Sequence, residues 1–93
     1  QNPALYVLRG QMVLLLYEWD RVEENYNTAI HINPDYAPAY YFRGILRYSL
    51  LERESALADF EQSLTLAPDG QYAEDAHANT QAIRTELSAL SDD

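Results

Sequence analysis

Two stretches decide the reading: Pro3-Ala4-Leu5-Tyr6-Val7-Leu8-Arg9-Gly10 and Ala37-Pro38-Ala39-Tyr40-Tyr41-Phe42-Arg43-Gly44. They lie 34 residues apart (40 − 6 = 34). The same shift sets Tyr6 on Tyr40, Arg9 on Arg43, Gly10 on Gly44, Leu16 on Leu50, Glu18 on Glu52 and Pro34 on Pro68. It also sets Val22 on Ala56, Tyr26 on Phe60 and Ala29 on Ser63. Six identities in one unit would carry little weight as a score. What carries weight is that a glycine, an aromatic and a proline all return at one spacing.

Each unit reads as a helical hairpin. Asn2-Pro3 is a helix start, with asparagine as cap and proline at the first helical position. Ala4 to Tyr17 holds no turn residue except Gly10, and Glu18-Trp19-Asp20 then breaks the run with an acidic cap for a second helix. Val22, Tyr26, Ala29 and Ile30 recur at helical spacing, and Asn33-Pro34-Asp35 closes the unit. The second unit repeats the pattern. Pro38 stands in a first turn, Glu52 to Glu54 make the bend, Ala56, Phe60, Ser63 and Leu64 form the stripe, and Ala67-Pro68-Asp69-Gly70 stops it. Gly10 and Gly44 each cost a helix about 1 kcal/mol relative to alanine, so their recurrence predicts a close approach by the partner helix. A fifth helix over Tyr72 to Leu90, with a narrow stripe of Tyr72, Ala76, Ile83, Leu87 and Leu90, has the pattern of a cap: one face docks and the other meets water.

The stretch 37–44, then Ala56-Leu57-Ala58-Asp59-Phe60, then Leu66-Ala67-Pro68-Asp69, resembles the tetratricopeptide repeat, a 34-residue helix-turn-helix unit. The family's first aromatic is met by Tyr6 and Tyr40, its glycine by Gly10 and Gly44, its second aromatic by Tyr26 and Phe60, and its proline by Pro34 and Pro68. Its small residue is met by Ala56 and less well by Val22. Arg9 and Arg43 stand where leucine is commoner, Val13 and Arg47 replace a tyrosine, and Tyr17 and Leu51 replace the turn glycine. The resemblance implies an all-α fold: a right-handed superhelix of two units (1–34 and 35–68), with 69–93 as capping helix and tail. It also implies a groove lined by the first helix of each unit, with peptide binding as the usual task. The groove positions carry over as Val7, Gln11 and Leu14, then Tyr41, Ile45 and Tyr48, then Asp75, Asn79 and Ala82 on the last helix. The +4, +3 spacing of the first two sets keeps each on one helical face.

Charge bounds the partner. The formal net charge is −9, from 15 acids and six bases. Every base is an arginine, and lysine and cysteine are both absent. Disulfides, thiol nucleophiles, Schiff-base lysines and phosphate-loop lysines are therefore excluded, and nucleic acid is disfavoured. No acid lies from Pro3 to Tyr17 or from Tyr36 to Leu51, where Arg9, Arg43 and Arg47 stand instead. That placement predicts an apolar, tyrosine-rich, mildly cationic groove for a segment with bulky apolar side chains and a carboxylate. The variant of this groove that clamps the C-terminal carboxylate of chaperone peptides uses lysine and asparagine at set positions. Those positions read Val7, Gln11, Tyr41 and Ile45 here, which argues against it.

Each feature also has a plainer reading. The Tyr41, Ile45, Tyr48 stripe could be core, Arg9 and Arg43 could pair with acids of this chain, and Trp19 could plug a turn. His31 and His77 are isolated. Glu74 with His77 lacks the carboxylates that a helical metal site needs, and no serine has a placed histidine partner. The expectations are therefore no catalytic residues, no metal, no cofactor and no enzymatic activity. Helix one is apolar nearly all round (Leu5, Leu8, Met12, Leu14, Leu15, Leu16), so self-association or a place in a longer array is the alternative function. Met12 to Tyr17, the longest apolar run, is too short to span a bilayer, and nothing at the N-terminus reads as a signal peptide. A soluble chain is expected, with the cytoplasm favoured. The first residue, Gln1, suggests a piece of a longer protein, and Asp92-Asp93 reads as a frayed end.

Overall fold

The computed structural model describes residues 2–14 and 16–91; Gln1, Leu15 and the Asp92-Asp93 end lie outside them. The described residues form five helices: α1 (Pro3–Leu14), α2 (Trp19–Ile32), α3 (Ala37–Ser49), α4 (Arg53–Leu66) and α5 (Ala73–Ser91). α1 pairs with α2 and α3 with α4, while α5 lies on α4 and reaches α3. None of the five is long and apolar enough to cross a membrane.

The local signals act largely as the residues predict. The Asn2 side chain accepts a hydrogen bond from the Ala4 N–H at 3.0 Å, and Pro3 opens α1. Asn33 caps the next bend in the same way, accepting from the Asp35 N–H at 3.0 Å. The acidic caps differ from expectation. Neither Glu18 nor Glu52 makes a side-chain capping bond to α2 or α4. Glu18 instead accepts from Arg21 at 3.1 Å, so the acids at these helix starts act through charge and not as side-chain caps.

The described part of α1 runs to Leu14, and Tyr17 takes φ 59° and turns the chain. Leu51, one period later, takes φ 63°. Both residues occupy the left-handed region where glycine is at ease, and both side chains are exposed. An L-residue there costs about 1–2 kcal/mol, and glycine returns part of that gain as unfolded-state entropy. Tyr17→Gly and Leu51→Gly are each expected to raise stability by roughly 0.5–1 kcal/mol in urea unfolding. Leu51→Gly should gain more, because Tyr17 also meets Trp19 edge-on at 6.0 Å. Unchanged midpoints would show that these turns are not strained.

Two apolar clusters hold the array. The first unites α1, α2 and α3 through Val7, Val13, Val22, Tyr26, Ala29, Ala39 and Leu46. The second unites α3, α4 and α5 through Tyr41, Ala56, Phe60, Ala76 and Ile83. The two glycines do what their recurrence predicts. A Cβ on Gly10 would meet the Tyr26 ring at 2.4 Å, and one on Gly44 would meet the Phe60 ring at 3.0 Å. Each aromatic lies where the missing side chain would be.

Candidate interaction groove

The nine groove positions separate by burial. Val7 and Tyr41 are buried, one in each core cluster, and offer little free surface. Gln11, Leu14, Ile45, Tyr48 and Asn79 are half-buried, and Asp75 and Ala82 are exposed. Between α1 and α3, Gln11, Leu14, Ile45 and Ser49 form the walls of a recess of about 180 Å³, with Tyr26, Phe42 and Leu46 also lining it. Its lining is almost wholly apolar, which suits a bulky aliphatic or aromatic side chain. Tyr26, Phe42, Leu46 and Ser49 were not in the set read from the residues. They line the recess because α1, α2 and α3 pack together, a tertiary relation that helical spacing alone does not contain.

Tyr41 and Tyr48 join α3 to α5. The Tyr41 ring stacks on Tyr72 at 4.5 Å and meets Phe60 edge-on at 5.9 Å, and its hydroxyl donates to Asp75. Burial, then the bond to Asp75 and the nearby negative charge, push the Tyr41 phenol well above its ordinary pKa. Asn79 also donates to Asp75, at 3.0 Å. One helical turn from Ile45, Tyr48 donates to Glu86 at 2.5 Å, and Arg53 donates to the other Glu86 oxygen at 2.9 Å. These two donors hold the Glu86 carboxyl below its usual range, and the bond to Glu86 holds the Tyr48 phenol above its own. Deeper in the first unit, burial alone pushes the Tyr26 phenol up to about 12.

The arginines of α3 are not in the groove, contrary to the expectation of a cationic lining. Arg43 donates through two nitrogens to Asp59 of α4, at 2.9 and 2.8 Å, and through a third to Asn27 of α2 at 2.8 Å. Arg47 donates to Asp59 at 3.0 Å and lies 3.8 Å from Glu23 of α2. Asp59 is buried among the apolar residues of α4, and these bonds hold the Arg43 guanidinium above its ordinary pKa. Arg9 lies over the Tyr6 ring at 5.0 Å, as Arg43 lies over Tyr40 at 5.6 Å. The plainer reading of the α3 arginines is the one the structure supports.

A second, wider hollow of about 680 Å³ lies on the outer side of α2. Trp19, Leu50 and His31 line it together with Asp20, Glu23 and Glu24. Among the described residues, no three metal-ligating side chains come together.

Known proteins fit this geometry. No family model matches the chain. RNA polymerase II-associated protein 3 is 35% identical over 68 residues in Mus musculus and 34% over 68 in Homo sapiens. In both cases the match covers 73% of this chain and 10% of the relative, so the chain spans a small part of those proteins. A solved structure, the first TPR of Spaghetti (RPAP3) bound to the HSP90 peptide SRMEEVD, superposes with a TM-score of 0.81 at 30% identity. That superposition covers 94% of this chain and 67% of the other. With its 34-residue period, its paired helices and its glycine-to-aromatic contacts, the chain belongs to the tetratricopeptide-repeat family.

Proposed function

We propose that the chain is a protein-interaction module, not an enzyme, and that the groove between its first helices receives a peptide or protein segment. The observation that carries this is the apolar recess between α1 and α3, bounded by Gln11, Leu14, Ile45 and Ser49. Tyr26, Phe42 and Leu46 complete its lining, while Tyr48 and Asn79, outside that lining, bond Glu86 and Asp75. An inserted side chain would exchange water for contacts on several sides, worth about 1.5–3 kcal/mol for a fully buried Leu or Phe. The similar domain of Spaghetti is bound to a peptide ending in EEVD. We expect SRMEEVD itself to bind this groove weakly or not at all, because Val7, Gln11, Tyr41 and Ile45 supply no cation for its carboxylates.

Selection from a displayed random-peptide library on the folded chain tests the groove. Leu14→Gln with Ile45→Gln should weaken the selected peptides by tenfold or more while helical content stays near wild type. Both side chains are only half-buried, which is why the double variant should fold. Undiminished affinity in the folded variant would place the binding surface elsewhere.

A second reading, self-association or a place within a longer array, rests on one comparison. Leu5, Leu8, Met12 and Leu16 of the first unit are exposed, from 46% at Leu5 to 65% at Leu16. Ala39 and Leu46, the period-related partners of Leu5 and Met12, are 0% and 3% exposed because they rest on the first unit. The face is thus of a kind that the fold buries when a neighbouring hairpin is present. Sedimentation across a hundredfold dilution separates the two readings, since only self-association gives a mass that depends on concentration.

A further inference from the structure

The two ends of the groove differ in charge, and the difference selects a ligand. α1 and α3 present neutral groups there: Gln11, Leu14 and Ile45 around the recess, and the hydroxyls of Tyr41 and Tyr48 beyond it. The carboxylates both come from α5. Glu86 is neutralised by Arg53 at 2.9 Å. Asp75 is not: it accepts from Tyr41 and Asn79, both uncharged, and no arginine lies within ion-pair distance of it among the described residues. An ionised carboxylate offers about four acceptor positions, so two remain open on Asp75. Its partner Tyr41 stands one helical turn from Ile45, which lines the recess, so the unneutralised anion is held through Tyr41 from the same face of α3 that bounds the recess.

From this arrangement, and resting on the groove reading above, we propose that the groove selects segments in which a bulky apolar side chain is accompanied by a lysine or arginine. The apolar side chain enters the recess, and the ammonium or guanidinium meets the open side of Asp75. A segment carrying carboxylates in its place would bring like charge to Asp75 with no base to receive it. The bases of α3 cannot serve, since Asp59 and Glu23 already hold Arg43 and Arg47. The net charge of −9 also favours the approach of cationic segments.

Three acetylated, amidated peptides of one frame, LLXILXF, with X lysine, glutamine or glutamate, test this by fluorescence anisotropy on the full chain. The lysine form is expected to bind at least tenfold more tightly than the glutamate form. Asp75→Asn keeps an acceptor for the Tyr41 hydroxyl but removes the charge, and should cut that ratio to below threefold. Glu24→Gln, in the outer hollow, should leave the ratio unchanged. Binding of all three forms with no charge preference overturns this inference and leaves the groove reading intact. A preference that survives Asp75→Asn but falls in Glu24→Gln also overturns it, and assigns the effect to the outer face. Failure of every form to bind at millimolar concentration overturns both.

Discussion

Asp59→Ala is expected to cost the fold about 3 kcal/mol, which for a domain of this size moves the thermal midpoint by on the order of 15 °C. Asp59 is 3% exposed, and its carboxylate receives three guanidinium hydrogen bonds, two from Arg43 and one from Arg47. Removing it leaves two cations partly out of water without their counter-charge. The loss of a buried partner usually costs 3–5 kcal/mol, and the lower end applies because both arginines keep some solvent contact. Asp59→Asn, which retains one acceptor, should cost about half as much. Those bonds also tie α4 to α3, while Arg43 and Arg47 reach on to Asn27 and Glu23 of α2. The alanine variant should therefore loosen the seam between the two hairpins as well as α4 itself. Urea denaturation followed by circular dichroism measures it; a loss below 1 kcal/mol would show that the cluster is worth no more than a surface pair.

Gly10→Ala is the second large effect, and its sign is not obvious from helix propensity. Alanine in mid-helix gains about 1 kcal/mol over glycine. Here the new methyl would come within 2.4 Å of one Tyr26 ring carbon and 2.9 Å of the next, and that ring is fully enclosed. Overpacking of this kind costs about 1–3 kcal/mol before the propensity gain, and the closeness of the clash places Gly10 at the upper end. A net loss of about 2 kcal/mol is expected, with Gly44→Ala milder because its nearest ring atom is at 3.0 Å. Combining Gly10→Ala with Tyr26→Leu should give less than the sum of the two single losses, since the smaller side chain vacates the contested space. Strict additivity in that cycle would mean the methyl and the ring do not compete.

The hairpins were legible because each boundary has a local cause: a proline that cannot continue a helix, an asparagine that caps one, a glycine that admits an aromatic. The family resemblance followed from the same residues. The groove positions were legible as a face, but not as a surface. Helical spacing says which residues share a side of α1 or α3; it does not say that Val7 and Tyr41 would be covered while Leu14 and Ile45 stay half open. Reading the arginines as groove cations failed for a similar reason. Arg43 and Asp59 lie 16 residues apart on different helices, so their pairing depends on how α3 crosses α4. A clue was present nonetheless. Asp59 stands next to Phe60 in the stripe with Ala56 and Ser63, and an acid on a buried stripe calls for a cation from outside its own helix. The left-handed turns were visible only as missing glycines, and the backbone at Tyr17 and Leu51 supplied the angle anyway.

Tyr41 belongs at once to the face of α3 proposed to meet a ligand and to the seat of α5. Its ring rests on Phe60 and Tyr72, and its hydroxyl is held by Asp75. A ligand that shifts this one side chain therefore changes how firmly the last helix is held. Thermodynamic reciprocity then requires that loosening α5 change the affinity for that ligand by the same factor. Under the proposed groove binding, α5 is in this sense an adjustable part of the binding equilibrium, set by the Tyr41 hydroxyl.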